Sequence, residues 1–298
     1  MTNYTTIGID LGGTNLRVAL VDGQGTILDE LEKGTEHEKG PDYVMGNMVE
    51  MIHAVKGDKL ISGVGIGSPG PLNSKTGIII EPPNLTGWSN VPIVEKLSKA
   101  LGIEVALDND ANAAALAEAT IGAGAAHESV YYITVSTGIG GGFIVNKKVF
   151  QGAQGYAGEI GNMIVSPNGR KHSNLNPGAL EALASGTAIS AIGREKLGIT
   201  EGAAEVFQLA EKGNCAAQQI IDEALQYLAI GIANLAHSIN PEVFVLGGGV
   251  MKSRNQVLEP LREKVKALVY PGLLDSIKIV PAGLGSKAGV VGAALLPR

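Results

Sequence analysis

Apolar residues along this chain gather into short runs that stop at glycine. The run 5–10, Thr5-Thr6-Ile7-Gly8-Ile9-Asp10, and the run 16–21 flank a turn containing Gly12 and Gly13, and a third run follows at 26–31. All three read as strands. Pro41-Asp42 opens a predicted helix at 41–56. A strand at 60–66 leads into a glycine–proline turn, and β structure at 77–81 precedes Pro82-Pro83-Asn84. A short helix at 91–101 ends at Gly102, a suitable C-cap. The strand 103–107 runs into Asp108-Asn109-Asp110, and the alanine-rich stretch 111–121 reads as a helix. A β-rich run at 130–135 enters a second glycine turn, from which an apolar strand leaves through 145. Within 216–239, Ile220, Ala224, Leu228, Ile232 and Leu235 recur at helical spacing, so this is a core helix. A buried strand, Val243-Phe244-Val245-Leu246, ends in Gly247-Gly248-Gly249, and a last helix covers 286–296. The alternation of strands and helices gives an α/β class, and the two strand–turn–strand units imply mixed sheets.

Composition narrows the function. A length of 298 residues suits two domains. The net charge of −6, with no basic run longer than Arg170-Lys171, argues against a phosphate-neutralising surface for nucleic acid. The 42 glycines sit at strand ends, not in a low-complexity tract. The single cysteine, Cys215, excludes an intrachain disulfide, fits a reducing cytosol and reads as an incidental helix residue. The N-terminus has no basic stretch followed by an apolar helix. The 216–239 helix carries Gln218, Asp222, Glu223, Asn234 and His237, which argues against a membrane span. The expectation is a cytoplasmic protein with neither nucleic-acid nor membrane partners.

The glycine turns carry the first candidate chemistry. Asp10 stands where its strand runs out, and Gly12 and Gly13 let the backbone approach a bound group. Thr14 and Asn15 add side-chain donors, and the turn amides can form an anion nest. That set suits a phosphate tail with its metal ion, although a plain glycine hairpin would use the same letters. The second turn, around Thr137 and Gly138, repeats the arrangement and favours two phosphate loops gripping one nucleotide. Gly65-Ile66-Gly67-Ser68-Pro69-Gly70 matches a dinucleotide fingerprint by letter, but Pro71-Leu72-Asn73 follows where a helix is required. No Gly-Lys dipeptide occurs, which excludes a Walker A loop. At the junction 108–112, Asn109 or Asp110 would serve as a helix N-cap, yet capping accounts for one polar residue and not for Asp-Asn-Asp followed by Asn112.

With these motifs the chain resembles sugar kinases of the ROK family within the actin-like ATPase superfamily, and is most similar to the bacterial glucokinases of that family. The resemblance runs over nearly the whole chain. It implies a two-domain actin-like (ribonuclease H-like) fold with mixed sheets and a cleft between domains. The expected division is 1–111, completed by a C-terminal helix at about 284–298, and 112–283. It implies transfer of the γ-phosphate of ATP to a sugar hydroxyl, the 6-OH of glucose in the first reading, with Asp110 as general base. Gly70, Asn84, Asn109, Glu159, Asn162 and Glu181 fall at sugar-contacting positions, and Trp88 shapes the cleft or packs. Asp10, Gly12, Gly13, Thr14, Asn15, Thr137, Gly138, Gly247, Gly248 and Gly249 fall at nucleotide positions. Asp10 meets Mg²⁺ through water, an ion that usually retains several waters. A homodimer or homotetramer is implied in the same way.

One stretch departs from the family pattern. Where many members have a histidine and three cysteines that hold structural zinc, this chain has Asn162, His172, Asn174 and Ala179. That set offers no soft tetrahedral ligands, so no zinc is expected, and the loop 166–177 must be ordered by other means. The missing histidine also leaves the sugar open: an N-acetylhexosamine, fructose or a glycoside is the alternative substrate, and a non-catalytic sugar-binding relative a further one. A repressor of the same family would place a helix-turn-helix domain ahead of the first glycine turn, where this sequence begins. ATP or polyphosphate as donor is not decided by these residues.

Overall fold

The structure is a computed structural model that describes residues 4–172 and 175–297. Its contacts divide the chain into two units. The first ends at Ala125 and takes up Lys147–Ala157 and the segment from Leu284. The second comprises Ala126–Asn146 and Gly158–Gly283.

Unit 1 is built on a five-stranded sheet. Its strands are β1 (Thr6–Leu11), β2 (Asn15–Val21), β3 (Ile27–Gly34), β4 (Val64–Ser68) and, after the small hairpin β5 (Leu72–Asn73) and β6 (Ile78–Ile79), β7 (Val105–Asn109). The order is β3-β2-β1-β4-β7. β1, β2 and β3 pair antiparallel, whereas β1–β4 and β4–β7 are parallel, so the sheet is mixed as expected. Strand period two sorts β1 cleanly. Ile7, Ile9 and Leu11 enter a core with α1 (Pro41–Lys56) and α2 (Ile93–Leu101), which contribute Val44, Met48, Ile52 and Leu97. The expected strand at 60–66 begins later, at Val64, because Leu60 is 92% exposed and 57–63 form a turn region tied by Thr5 and Ser62.

The other face of β1 and β4 is almost bare. Gly8 pairs with Gly65, and Asp10 with Gly67. A Cβ on Gly8 would overlap the Val290 carbonyl, and one on Gly65 the Ala293 carbonyl. One on Gly67 would come within 3.3 Å of the Ala113 Cβ. Two helices therefore lie directly on strand backbone: α3 (Asp110–Thr120) and the C-terminal helix Ala288–Leu295. These helices also pack on each other, and a Cβ on Gly292 would overlap the Ala113 carbonyl. This packing explains why contacts keep α3 in unit 1 through Ala125, instead of dividing near 111 as the sequence suggested. Buried Glu118 of α3 accepts from the Ala123 and Leu284 amides at 2.9 and 2.8 Å, fastening the returning chain.

Unit 2 repeats the plan. The hairpin β8 (Ser129–Val135) and β9 (Ile139–Val145) is antiparallel; the two-residue β10 (Lys148–Val149) follows in the segment grouped with unit 1. After α4 (Leu180–Ala184), α5 (Gly186–Leu197), α6 (Ala203–Glu211) and α7 (Cys215–Ser238), β11 (Val243–Gly247) pairs parallel to β8. α8 (Arg254–Leu268) leads to β12 (Ile279–Pro281), parallel to β11. The C-terminal helix named above is α9. Ile220, Ala224, Leu228, Ile232 and Leu235 of α7 are all buried in one core with Tyr131, Phe244 and Leu261. No helix among the described residues is long and apolar enough to cross a membrane.

The close approach of α9 to Gly65 gives a direct test. Gly65→Ala forces overpacking against backbone and is expected to cost at least about 1–3 kcal/mol. Gly46→Ala, in the exposed α1 interior where an added Cβ meets nothing, is expected to stabilise by roughly 0.4–1 kcal/mol. Urea denaturation of both variants checks the sign and order; equal midpoints would remove the close approach as a constraint.

Candidate active site

The first glycine turn links β1 to β2, and its carbonyls face inward. The buried Thr35 donates its amide to the Thr14 carbonyl at 2.8 Å and its hydroxyl to the Gly12 carbonyl at 2.6 Å. The Gly12 amide closes on the Asn15 carbonyl at 2.9 Å. Gly13 backs onto the turn that carries Asn84: a Cβ there would lie 2.6 Å from the Asn84 carbonyl oxygen. That second turn is pinned by Leu85 and Trp88, both 1% exposed, which leaves Asn84 at the surface. Trp88 therefore packs in the core of unit 1.

Asp10 sits on the bare face of β1. Hairpin register places Arg17 opposite it, and Arg17 is itself held by Glu32 through Nη2 at 2.6 Å and by the Ser286 carbonyl through Nη1 at 3.0 Å. Burial raises the Asp10 pKa, the Arg17 charge opposes this, and Glu32 adds a smaller rise. Neither Arg17 nor Thr35 was among the residues singled out from sequence, although counting outward from the turn brings Arg17 to Asp10.

Across from Asp10, Gly67 leaves room for the start of α3. A Cβ on Gly67 would sit 3.7 Å from the Asp110 Cα. Asn109 caps α3, its Oδ1 accepting from the Ala111 amide at 2.9 Å, and Asp110 Oδ1 accepts from the same amide at 2.7 Å. Capping is thus real here, yet Asp110 remains exposed. Asp108 faces inward: its Oδ1 accepts from the Asn109 amide at 2.7 Å and from Asn112 Nδ2 at 2.8 Å. Gly70, ahead of a cis Gly70–Pro71 peptide, lies beside the Asn109 side chain, 3.6 Å from Nδ2 to an added Cβ. Unit 1 therefore collects Asp10, the Gly12–Asn15 turn, Gly70, Asn84, Asn109 and Asp110 at the ends of β1, β4 and β7. Gly65 and Gly67 of the Gly65–Gly70 run find their use in packing against α9 and α3.

In unit 2 the second glycine turn is also tied from below. The α5 N-terminus donates from Gly186 and Thr187 to the carbonyls of Ser136 and Thr137 at 2.8 and 3.2 Å. Glu181 Oε2 accepts from the Ile139 amide at 2.7 Å, and a Cβ on Gly138 would overlap this carboxylate. Glu181, selected as a sugar contact, thus also braces the turn. The Gly247–Gly249 run lies against the same hairpin. A Cβ on Gly248 would overlap the Val135 carbonyl, and one on Gly249 would be 3.3 Å from Ser136 Oγ. Gly248 has φ 91°, a conformation that suits glycine alone.

Glu159 receives a hydrogen bond from Asn162 Nδ2 at 3.2 Å. Packed protein around its carboxyl raises the Glu159 pKa; the Asn162 amide lowers it and the Glu181 charge raises it further. The nearby loop closes through backbone. Val165 and Ser166 amides donate to the Gly178 carbonyl at 2.9 and 3.3 Å, and the Gly178 amide donates to the Arg170 carbonyl at 2.9 Å. Gly178, at φ 75°, lies against Ser166 where no Cβ fits, and Arg170 pairs with Glu195. Ala179 is buried and bridges to Ile164, and the His172 carbonyl accepts from the Leu175 amide at 3.1 Å. Asn174 lies outside the described residues.

A magnesium ion suits the Asp10 end of β1. Mg²⁺ takes one or two carboxylates, phosphate oxygens and water. Asp10 supplies one half-buried carboxylate whose charge burial disfavours, and a nearby cation would offset that cost. Gly289 lies close against this carboxylate, where an added Cβ would come within 3.0 Å of Oδ2, so a side chain at 289 would crowd the approach to Asp10. Among the described residues, no group of three or more His, Cys, Asp or Glu is gathered around a common point for a metal.

Comparison with known proteins places the chain among sugar kinases. The ROK family model matches residues 6–298. The chain is 36% identical to a glucokinase of Thermotoga maritima over 308 aligned residues, covering 99% of this chain and 97% of that one. Its structure superimposes with a TM-score of 0.87 on a ROK hexokinase from Thermus thermophilus, 34% identical and covering 98% and 97% of the two chains. It does so with a TM-score of 0.81 on a ROK glucokinase from Streptomyces griseus in complex with glucose and AMPPNP, 31% identical and covering 98% of each chain. The two mixed α/β units have the actin-like architecture of these sugar kinases. With a family match over residues 6–298 and a relative 36% identical along almost its whole length, the chain belongs to the ROK family.

Proposed function

We propose that this chain transfers the γ-phosphate of ATP to the 6-hydroxyl of glucose. The observation that carries the reading is the placement of Asp110: exposed, at the first turn of α3, on the strand ends that also hold Asp10 and the first glycine turn. The sugar O6 attacks the γ-phosphorus, its proton passes to the Asp110 carboxylate, and the bond to the β-bridging oxygen breaks with its electron pair leaving on ADP. A weak base suffices because the transition state is largely dissociative. Asn109, Asn84, Gly70, Glu159, Glu181 and Asn162 hold the sugar hydroxyls. Gly12 closes the first turn through its amide on the Asn15 carbonyl, the amides of Gly13 and Thr14 with the Thr14 and Asn15 side chains take the phosphates together with Thr137–Gly138, and Gly247–Gly249 lie along the adenosine. Asp10 would hold Mg²⁺ through water, and the ion would supply neutralisation of the phosphate charge. The same reading makes the protein a cytoplasmic homodimer or homotetramer.

The sugar itself is the least constrained part. Asn162 stands where a histidine is common in the family, and it touches Glu159. This favours a second reading in which an N-acetylhexosamine, fructose or a glycoside is the better acceptor. An ADP-release screen over hexoses, amino sugars and disaccharides distinguishes the two, with polyphosphate tested as donor. Glucose is expected to give the highest kcat/KM; sugar binding in thermal-shift assays without any turnover would leave a non-catalytic relative. Asp110→Asn is expected to lower kcat by roughly 10²-fold or more with sugar affinity held within about tenfold. Unchanged kcat would remove Asp110 as the base.

Glu159 and Asn162 make two further outcomes measurable. Glu159 accepts hydroxyl hydrogen bonds as the carboxylate, and its pKa is raised. Sugar affinity should therefore fall as the pH is lowered through that raised pKa, at a higher pH than an ordinary glutamate would give. A KM profile over acidic pH reads this limb, and Glu159→Gln should abolish it. Asn162→His should move the ratio of kcat/KM between glucose and the other hexoses by about tenfold, the discrimination expected of one or two hydrogen bonds. An unchanged ratio would place Asn162 outside the sugar site.

A further inference from the structure

The segment Lys147–Ala157 belongs to unit 1, although its neighbours on both sides in sequence belong to unit 2. It is tied down at three places. Lys147 Nζ donates to the Ala119 and Ala125 carbonyls at 2.7 and 2.6 Å, at the C-terminal end of α3. Lys75 Nζ donates to the Ala153 carbonyl at 3.2 Å. Between them, Gln151 Nε2 donates to Asp108 Oδ2 at 3.0 Å. The Gln151 carbonyl accepts from the Ala157 amide at 3.2 Å, and Gly152 makes the bend at φ 70°. The amide of Gln151 is thus presented by a strap held at both ends.

Asp108 is the residue this strap reaches, and it is 4% exposed. Its Oδ1 serves the Asn109 amide and Asn112 Nδ2, both within the junction that ends in Asp110. Asn112 is 3% exposed, and its own Oδ1 has no partner, so it contributes a single hydrogen bond to the arrangement. A carboxylate fixed through one oxygen still turns about its Cβ–Cγ bond and can exchange its two oxygens. A donor on Oδ2 stops that rotation. Gln151 supplies it from outside the junction. Behind the pair lies a cavity of about 330 Å³ lined in part by Lys75, Thr76, Leu107, Asp108 and Gln151. It is roomy and polar enough for water.

We propose that Gln151 is a positioning residue for phosphoryl transfer: its hydrogen bond to Asp108 fixes the Asn109–Asp110 junction and so sets where the Asp110 carboxylate stands. The proposal rests on the role given above to Asp110. Gln151 touches no reacting atom; it acts through Asp108. Positioning at this level is kinetically large, because a displacement of about 1 Å at a reacting group can cost roughly 10²-fold in rate. It should appear chiefly in kcat with a smaller effect on sugar affinity, since Asn109 is the one sugar-holding residue in the junction while Gly70, Asn84, Glu159, Asn162 and Glu181 lie outside it.

Charge reciprocity supplies the test. In Gln151→Ala, water from the cavity can take the vacated place, so the expected loss in kcat is about tenfold. Gln151→Glu sets a carboxylate against a carboxylate and is expected to lose about 10²-fold in kcat, with the sugar KM within about threefold. Adding Asp108→Asn restores a donor and an acceptor face to face. That double variant is expected to recover to within about tenfold of the original chain, a rescue that general weakening of the fold would not produce. Hydrogen exchange of the 105–115 segment, followed by mass spectrometry, reads the same bond without catalysis. It should quicken in Gln151→Glu and slow again in the double variant. If the original chain phosphorylates no sugar, the kinase reading fails while exchange still reports on Gln151. Should Gln151→Glu not fold, Gln151→Met keeps the length, removes the donor and carries the Gln151→Ala expectation for kcat and exchange. Unchanged kcat and unchanged exchange in whichever variant folds, or no rescue by Asp108→Asn in a folded Gln151→Glu chain, overturns the proposal.

Discussion

Everything in unit 1 depends on a strip of sheet without side chains. Gly8, Gly65 and Gly67 occupy neighbouring positions on one face of β1 and β4, so α9 and α3 rest on backbone. Close packing of this kind leaves no slack, because interiors are as dense as organic crystals. The consequence is positional. Asp10 is the carboxylate on that face of β1, past Gly8 toward the strand end, and the residue across from it is Gly67. The first turn of α3 enters the space that Gly67 leaves. A larger residue at either glycine would push a helix outward and carry Asp110 away from the strand ends. The function assigned to Asp110 is therefore inherited from glycines that touch no ligand.

The two glycine turns solve a shared problem in different ways. A turn that offers its amides to a phosphate must have its carbonyls occupied elsewhere. Unit 1 does this with one buried threonine, Thr35, which takes the Gly12 and Thr14 carbonyls. Unit 2 uses the N-terminus of α5, whose Gly186 and Thr187 amides take the Ser136 and Thr137 carbonyls, and adds Glu181 on the Ile139 amide. Helix N-terminal amides need partners in any case, so this arrangement satisfies two sets of backbone groups together. It also means that Glu181 is committed at one oxygen before any sugar arrives.

Much of this was legible in the residues. Both hairpins, the core helix α7 and the polar junction at 108–112 follow from apolar runs, glycine punctuation and helical spacing. The return of the C-terminal helix to the first unit was expected from the resemblance, but not that α3 and the segment Lys147–Ala157 group with it, because those contacts are made between residues far apart in sequence. Arg17 and Thr35 escaped for a related reason. Arg17 is tied to Asp10 by strand register, and Thr35 reaches the turn only after β3 has folded back. Gly65-x-Gly67 read as a failed nucleotide fingerprint, whereas its letters serve helix packing. A period-two reading of β1 and β4 together would have set Gly8, Gly65 and Gly67 on one face.

Between 162 and 179 the loop is ordered through its backbone. A structural metal ties separate points of a loop through side chains at a common centre. In this chain Gly178 gathers the same stretch: its carbonyl takes two amides, its amide takes the Arg170 carbonyl, and its φ of 75° allows it to lie against Ser166. A glycine is required because a Cβ would meet the Ser166 carbonyl. The neck of the loop then leads directly into Ala179, Leu180 and Glu181, so the closure at Gly178 determines where α4 begins. Glu181 reaches the Ile139 amide from that helix start, and Asn162 meets Glu159 within the short helix at Ile160–Asn162. Backbone closure at Gly178 thus stands at the start of the helix that carries Glu181, while the Asn162 side chain is engaged with Glu159.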